Sequence, residues 1–377
     1  MRILLLADIH IGAIKDCDYV YDVFTSIIDK EVMFTKTDTV VILGDYFDRL
    51  FKVNEEYVSL AINAMSYLIR ACRKNGTKIR IVYGTESHEM NQYRLFNYHF
   101  ASSSVDIKLF TTASTETLGG KKILYLPEEY IKSKHEFYKE FLYDGKHYDY
   151  IFGHGVIVEG MPQESLISNP SNLENKVASF NVSELSSAGD LIVFGHVHTG
   201  YNKGSVYYLG SLFRYKFGEE SPKCYGVIND DKLELIENTR AYEYKTYEFN
   251  EDSDVYKSTD DLITEIEKIK KDNEAIFSGE KSGKIRLIFH TPTDVDPTFG
   301  TSIKEILFND KIMKLMIKES TKITEEDGIE EETDEYEFVL DNTMRVDDKI
   351  YTFIDMKHED HMSLAELIKY IHDPLLL

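Results

Sequence analysis

The sequence is poor in cysteine, in long apolar runs and in positive charge. Its three cysteines, Cys17, Cys72 and Cys224, are scattered, odd in number and never spaced as CxxC. This excludes a disulfide scaffold and predicts a reduced, cytoplasmic setting. No run of about 18 apolar residues offers a membrane span. The opening "MRILLLADIH" reaches Asp8 too early to read as a cleavable leader. Basic residues number 43 against 66 acidic ones, a formal net charge of −23. That balance argues against a strong basic field for holding a polyanion. The acidity is unevenly placed, however. From Ala241 onward there are 17 basic and 34 acidic residues, net −17, whereas the first 240 residues carry 26 and 32, net −6. Much of the excess is the run Glu325–Glu337, read as a solvated loop. There is no internal repeat, and no Pro/Gly linker marks the change in texture.

At 377 residues the chain has room for about two domains. The first 240 residues alternate short apolar runs with helix-like segments. The runs are "RILLLAD", "TVVILGD", "KIRIVYG", "KKILYLP", "YDYIFGHG", "DLIVFGHVH" and "VYYLGS". Each is rich in Ile, Val, Leu or Tyr and stopped by Gly, Pro or Asp, which predicts buried strands. Helical spacing is present over Tyr19–Val32 and Glu55–Lys74, the second with Tyr57, Leu60, Ala61, Ala64 and Leu68 on one face. Alternation of this kind predicts an α/β sheet covered on both faces. A smaller α+β domain is expected over residues 241–377, after a first domain over 1–240. Its elements would be a charged helix near Ser258–Asp272, strands at "KIRLIFH", "IMKLMIK" and "EYEFVL", and a C-terminal helix. That last helix has a capping-box pair, Ser363 and Glu366, and an apolar stripe of Leu364, Leu367, Ile368 and Ile371. It is read either as core of the second domain or as a partner-docking helix.

The strand-like runs of the first domain end in a consistent chemistry. They give Asp8 and His10, then Asp45, Asp48 and Arg49, then Ser87, His88 and Glu89, then His154, then His196 and His198. In open α/β sheets, ligands bind beyond the carboxyl ends of the strands. Carboxylate oxygen with imidazole nitrogen suits Mn, Fe or Zn, and no thiolate biases the set toward structural zinc. Five or six such donors exceed what one catalytic metal with an open position needs, and suit two metals bridged by one carboxylate. The remaining histidines (His99, His135, His147, His290, His358, His361 and His372) are read as ordinary.

D-x-H, then G-D-x-x-D-R, then a G…H-E turn, then G-H, then G-H-x-H resembles the calcineurin-like metallophosphoesterase superfamily over residues 1–215. Within it, "GHVHTG" followed by "YYLGSLFRYKFGEE" is similar to DNA-repair nuclease subunits of the SbcC–SbcD type, including those of bacteriophages. The resemblance implies a two-sheet sandwich with flanking helices and a small capping domain behind it. It implies two divalent ions, Mn²⁺ foremost and Mg²⁺ as the alternative. One would be held by Asp8, His10, Asp45 and His198, with Asp45 bridging to a second held also by His154 and His196. It implies His88 as general acid, oriented by Asp48. It further implies exonuclease or endonuclease action on DNA and an SMC-like ATPase partner. A homodimer is expected, with the helix Glu55–Lys74 as a candidate interface, although its stripe reads first as plain core. The sequence departs from the family at "GTESHE", where Gly-Asn-His is usual and the Asn holds the second metal. Three accounts are open: Ser87 ligates directly or through water, Glu86 or Glu89 substitutes, or the second site is weak. The first is favoured. A weak second site would leave a DNA-binding scaffold, and "GDYFDR" is also similar to protein phosphatases. Lys15, Arg49, Lys52, Arg94, Arg214 and Lys216 are the candidate DNA contacts.

Overall fold

The computed structural model describes residues 1–160, 176–292, 298–307 and 312–319. The expected strand "EYEFVL", the acidic run Glu325–Glu337, the C-terminal helix and the three histidines His358, His361 and His372 lie outside the described residues.

Two six-stranded sheets face each other. The first contains β1 (Arg2–Leu6), β2 (Thr39–Leu43), β3 (Lys78–Val82) and β4 (Ile107–Phe110), all parallel. The second is built on β5 (Ser114–Leu118), β6 (Lys121–Leu126), β8 (Tyr148–His154), β12 (Gly189–Gly195), β13 (Tyr201–Lys203) and β14 (Val206–Tyr208), in the order β13-β14-β12-β8-β6-β5. Between these last elements run two short ribbons, β7 (Tyr130–Ile131) with β10 (Lys176–Val177) and β9 (Val156–Ile157) with β11 (Ser179–Phe180). The chain then returns to the first sheet as β15 (Cys224–Asn229) and β16 (Lys232–Glu237), completing the order β16-β15-β1-β2-β3-β4. A third, parallel sheet follows: β17 (Glu243–Phe249), β18 (Gly283–Thr291) and β19 (Met313–Glu319).

The period of two in a strand decides which side each residue serves. In β1, Ile3 and Leu5 join Val41, Leu43, Val82, Tyr125, Phe152 and Val193 in the layer between the two large sheets. Leu4 and Leu6 turn the other way, onto Val23, Phe24, Leu60, Ala64 and Leu68 of helices α1 (Cys17–Ile28) and α2 (Glu56–Asn75). On the outer side of the second sheet, Leu124, Ile151, Ile192 and Phe194 pack with Leu185 and Ala188. With both faces of both sheets covered, the strands read as apolar runs rather than as alternating ones.

The helix signals translate closely. Asp16 caps α1 by accepting from the Tyr19 N–H at 3.0 Å, which starts the helix two residues before the predicted Tyr19. Gly76, at φ 69°, ends α2 in the left-handed conformation that glycine takes without penalty. The charged helix runs Thr259–Asp272 with Ser258 accepting from the Asp261 N–H at 3.1 Å. It buries Leu262, Ile266 and Ile269 in a separate apolar cluster with Ile285, Leu287 and Phe289 of β18. The antiparallel pair β15 and β16 was not anticipated. β16 is exposed at most of its positions, so no apolar run advertises it.

Candidate metal centre

The site grows from the way two parallel pairs of strands end. Beyond β1 and β2 the pairing continues into the loops: Asp8 N–H donates to the Gly44 carbonyl, and His10 N–H to that of Asp45 at 3.0 Å. The two sheets are tied together at the same place. His154 Nδ1 lies 2.8 Å from the Leu43 carbonyl oxygen, and the His196 N–H donates to the Asp8 carboxylate at 2.8 Å. The backbone is held in left-handed conformations at Asp8 (φ 47°), His10 (43°), Asp45 (47°) and His196 (98°). Non-glycine residues rarely adopt this region, and clusters of them mark functional sites. Close approach is secured by glycine at Gly84, where a Cβ would come 2.3 Å from both the backbone nitrogen and Oδ1 of Asp45. Gly84→Ala should therefore displace Asp45 itself. We expect about 1–3 kcal/mol lower stability, as overpacking usually costs, together with weaker Mn²⁺ binding, read by denaturant midpoint and calorimetry.

Three groups of donors result, each within 4.8 Å: Asp8, His10 and His198; His10, Asp45 and His88; and Asp45, His154 and His196. Asp45 belongs to two of them. His10 Nε2 and His198 Nε2 stand 3.0 Å apart, and Asp45 Oδ2 is 3.7 Å from His10 Nε2 and 3.2 Å from His154 Nε2. Burial lowers His10 to about 3, against the pull of Asp45, so its ring is neutral and free to donate a lone pair. Burial would also lower His154, but Asp45 outweighs it and raises the ring to about 10. Burial likewise opposes the charge on Asp45, yet His154 holds that carboxyl well below the usual range. Asp8 is raised by burial, against His154. Such a set of oxygen and imidazole donors, most of them buried and with no thiolate among them, fits divalent metals.

A second layer supports these donors. Glu219 Oε1 is 3.3 Å from His198 Nδ1, and Glu219 Oε2 is 3.2 Å from Lys223 Nζ. Although burial works against it, the contacts with His198 and Lys223 hold Glu219 at about 2. A carboxylate on the far nitrogen of a ligating imidazole fixes its orientation. The Tyr215 hydroxyl donates to the Asp8 carbonyl, and its ring lies edge-on to His10 and His198, with centroids 5.3 Å away in each case. In the sequence, Tyr215 and Glu219 stood only as part of a family marker.

The fold thus gathers Asp8, His10, Asp45, His88, His154, His196 and His198. It does not bring in Ser87. That residue is exposed on a one-turn helix, α3 (Glu86–Glu89), as is Glu86. Glu89 is buried, but one oxygen accepts from the Tyr46 N–H at 3.1 Å and the Tyr93 hydroxyl at 3.3 Å. The hydroxyl beside the second group is that of Thr85, 3.2 Å from Asp45 Oδ2 and 3.3 Å from His154 Nε2. The two extra residues of "GTESHE" bulge outward as α3, so the donor position stays next to Gly84. Ser87→Ala should leave the Mn²⁺ titration unchanged; a raised Mn²⁺ requirement would return Ser87 to the site. Asp48 also differs from expectation. Its carboxylate Oδ1 lies 3.6 Å from His10 Nδ1, while its main-chain carbonyl, not its side chain, meets His88 Nδ1. Glu128, which the sequence reading passed over, lies with Oε2 3.2 Å from His196 Nδ1 and 3.4 Å from Thr85 Oγ1.

The other described histidines lie elsewhere: His99 is edge-on to Tyr98, His135 stacks on Tyr143, His147 pairs with Asp190, and His290 with Glu248. Of the candidate DNA contacts, Lys15, Lys52, Arg94 and Lys216 are exposed. Arg49 is paired with Glu55 at 2.7 Å, and Arg214 donates to the carbonyls of Ser221 and Tyr242. No helix among the described residues is long and apolar enough to cross a membrane.

A sequence model for calcineurin-like phosphoesterases matches residues 1–200. No curated protein sequence matches. One solved crystal structure aligns with 63% of this chain and 99% of its own at 12% identity, with a TM-score of 0.38, a likeness too slight to carry an argument.

Proposed function

This chain belongs to the calcineurin-like phosphoesterase family, and from that premise we propose that it is a two-metal DNA nuclease of the SbcC–SbcD type. The reading has it cleave phosphodiesters, by exonuclease or endonuclease action, in DNA repair or recombination. The observation that carries the two-metal part is Asp45, whose carboxylate is grouped with His10 on one side and with His154 and His196 on the other, and can bridge the two. Asp8, His10 and His198 would complete one site, and His154 and His196 the other. The bound ions, Mn²⁺ first and Mg²⁺ as the alternative, would activate a nucleophile at neutral pH and neutralise charge on the phosphoryl oxygens.

The chain's own residues do the rest. His88, with Nδ1–H anchored on the Asp48 carbonyl, presents its other nitrogen to the leaving oxygen and gives it a proton. Glu219 keeps His198 turned toward the centre. The choice of a diester over a monoester rests on the sequence likeness around "GHVHTG" and on the lack of an arginine soon after His88; Arg94, six residues on, is exposed. The modest basic content supports a partner that supplies DNA affinity, an SMC-like ATPase; the apolar stripe of α2 is spent on the core, so it lends no support to a homodimer.

The test is substrate choice. Purified protein with Mn²⁺ should degrade linear duplex DNA and a bis-nitrophenyl phosphodiester, and leave a phosphopeptide intact. Dephosphorylation of the peptide with DNA untouched would make it a phosphatase. DNA binding with neither hydrolysis would make it a scaffold.

A further inference from the structure

Glu128 follows β6 in the stretch "YLPEEY", where no histidine or aspartate draws notice. Its side chain is 1% exposed. Long glutamates are almost never buried so fully unless they are paired or bind a cation. The contacts of its carboxylate point inward to the metal centre. Oε2 is 3.2 Å from His196 Nδ1 and 3.4 Å from Thr85 Oγ1. Oε1 accepts from the Tyr130 hydroxyl at 3.1 Å, which fixes the group from outside.

The spacing matters more than any one contact. Asp45 Oδ2 to His154 Nε2 is 3.2 Å, Asp45 Oδ2 to Thr85 Oγ1 3.2 Å, Thr85 Oγ1 to His154 Nε2 3.3 Å, Thr85 Oγ1 to Glu128 Oε2 3.4 Å, and Glu128 Oε2 to His196 Nδ1 3.2 Å. Adjacent donors on one octahedral ion, with bonds of about 2.1 Å, are about 3 Å apart. Each neighbouring pair among these five donors is thus at nearly the spacing of adjacent ligands on one ion, and Asp45, His154 and His196 form the set whose donors also lie within 4.8 Å of one another. Two of the five, Thr85 and Glu128, occupy the side where the family's amide is missing.

We propose that Glu128 is a direct ligand of the second metal, with the Thr85 hydroxyl beside it, in place of the amide that other family members use. This rests on the two-metal reading above and deepens it. A carboxylate in place of a neutral amide keeps a hard oxygen donor and adds one negative charge toward the cation, so the departure at "GTESHE" need not weaken the site.

The test is a crystal of the full chain soaked in Mn²⁺ alone, with anomalous diffraction. The expected result is two peaks, the second within about 2.3 Å of a Glu128 oxygen. A second peak with both Glu128 oxygens more than about 3.5 Å away would overturn the proposal, and would leave Glu128 orienting His196 as an outer carboxylate does. Calorimetry gives an independent reading. Wild type should take up two ions and Glu128→Ala one, at a melting temperature close to wild type. Two ions in Glu128→Ala with little change in affinity would count against direct ligation. Glu128→Gln, which retains a carbonyl oxygen, should recover much of the second-site affinity. Fewer than two ions in wild type would instead bring down the two-metal reading itself, and the proposal with it.

Discussion

Asp45→Ala is expected to lose tight binding of both Mn²⁺ ions and to show no measurable hydrolysis. Asp45 Oδ2 is 3.7 Å from His10 Nε2 and 3.2 Å from His154 Nε2, so one oxygen reaches donors on both sides of the centre. If the ions together supply several kcal/mol of transition-state stabilisation, and each 1.4 kcal/mol is tenfold, turnover should fall by about 10³-fold or more. The fold should survive. Against the effect of burial, His154 holds the Asp45 carboxyl below the usual range, so its loss costs some stability, but the backbone pairing of β1, β2 and β3 that carries the site does not depend on it. Its structural duty is to accept the Thr85 N–H at 2.7 Å, and Asp45→Asn, which keeps an acceptor there, serves as the control. Calorimetry showing two tightly bound ions in Asp45→Ala would end the bridging assignment.

His88→Ala should separate proton transfer from metal binding. Its ring lies edge-on to that of His10, with centroids 4.9 Å apart, and its Nδ1 is held by a main-chain carbonyl. Removing the ring should leave metal content unchanged and lower turnover by about 10²-fold or more, the usual contribution of a placed acid. A substrate with a very good leaving group, which needs no proton, should be affected far less. Loss of an ion from His88→Ala would instead make it a ligand. Asp48→Asn now has a different expected effect from that of an orienting partner. The His88 anchor is the Asp48 carbonyl, which the substitution keeps. The altered group faces His10 Nδ1 at 3.6 Å, so the effect should appear in Mn²⁺ affinity more than in dependence on the leaving group.

What could be read from the sequence was whatever lies at the end of an apolar run and carries aspartate or histidine. Asp8, Asp45, His154 and His196 each stand at the end of a buried strand or within two residues of it, so sequence position stood in for spatial position. Glu128 also follows a strand, but behind Pro127, and a lone glutamate near a turn is ordinary surface chemistry until its burial is known. Thr85 was missed for a different reason. Counting back from His88 puts Ser87 at the donor position, whereas counting forward from Gly84 puts Thr85 there. The structure favours the second count because Gly84 is fixed by its approach to Asp45, and the extra residues are free to coil outward. β15 and β16 escaped because pairing between strands distant in sequence is set by the partner edge of β1, which local composition does not encode.

The left-handed backbone at Asp8, His10, Asp45 and His196 bears on how this protein should respond to random mutation. Each such residue stores about 1 kcal/mol or somewhat more of conformational strain, and three of the four add a carboxylate or imidazole buried with its charge or lone pairs facing others. Glycine at any of these positions would relax the main chain while deleting a donor. Selection for thermal stability alone is therefore expected to enrich for glycine or other small, uncharged replacements at these positions, and to yield robust, inactive protein. Durability and catalysis are opposed at these four residues. A stability screen that omits an activity readout would select against the centre the fold is organised to hold.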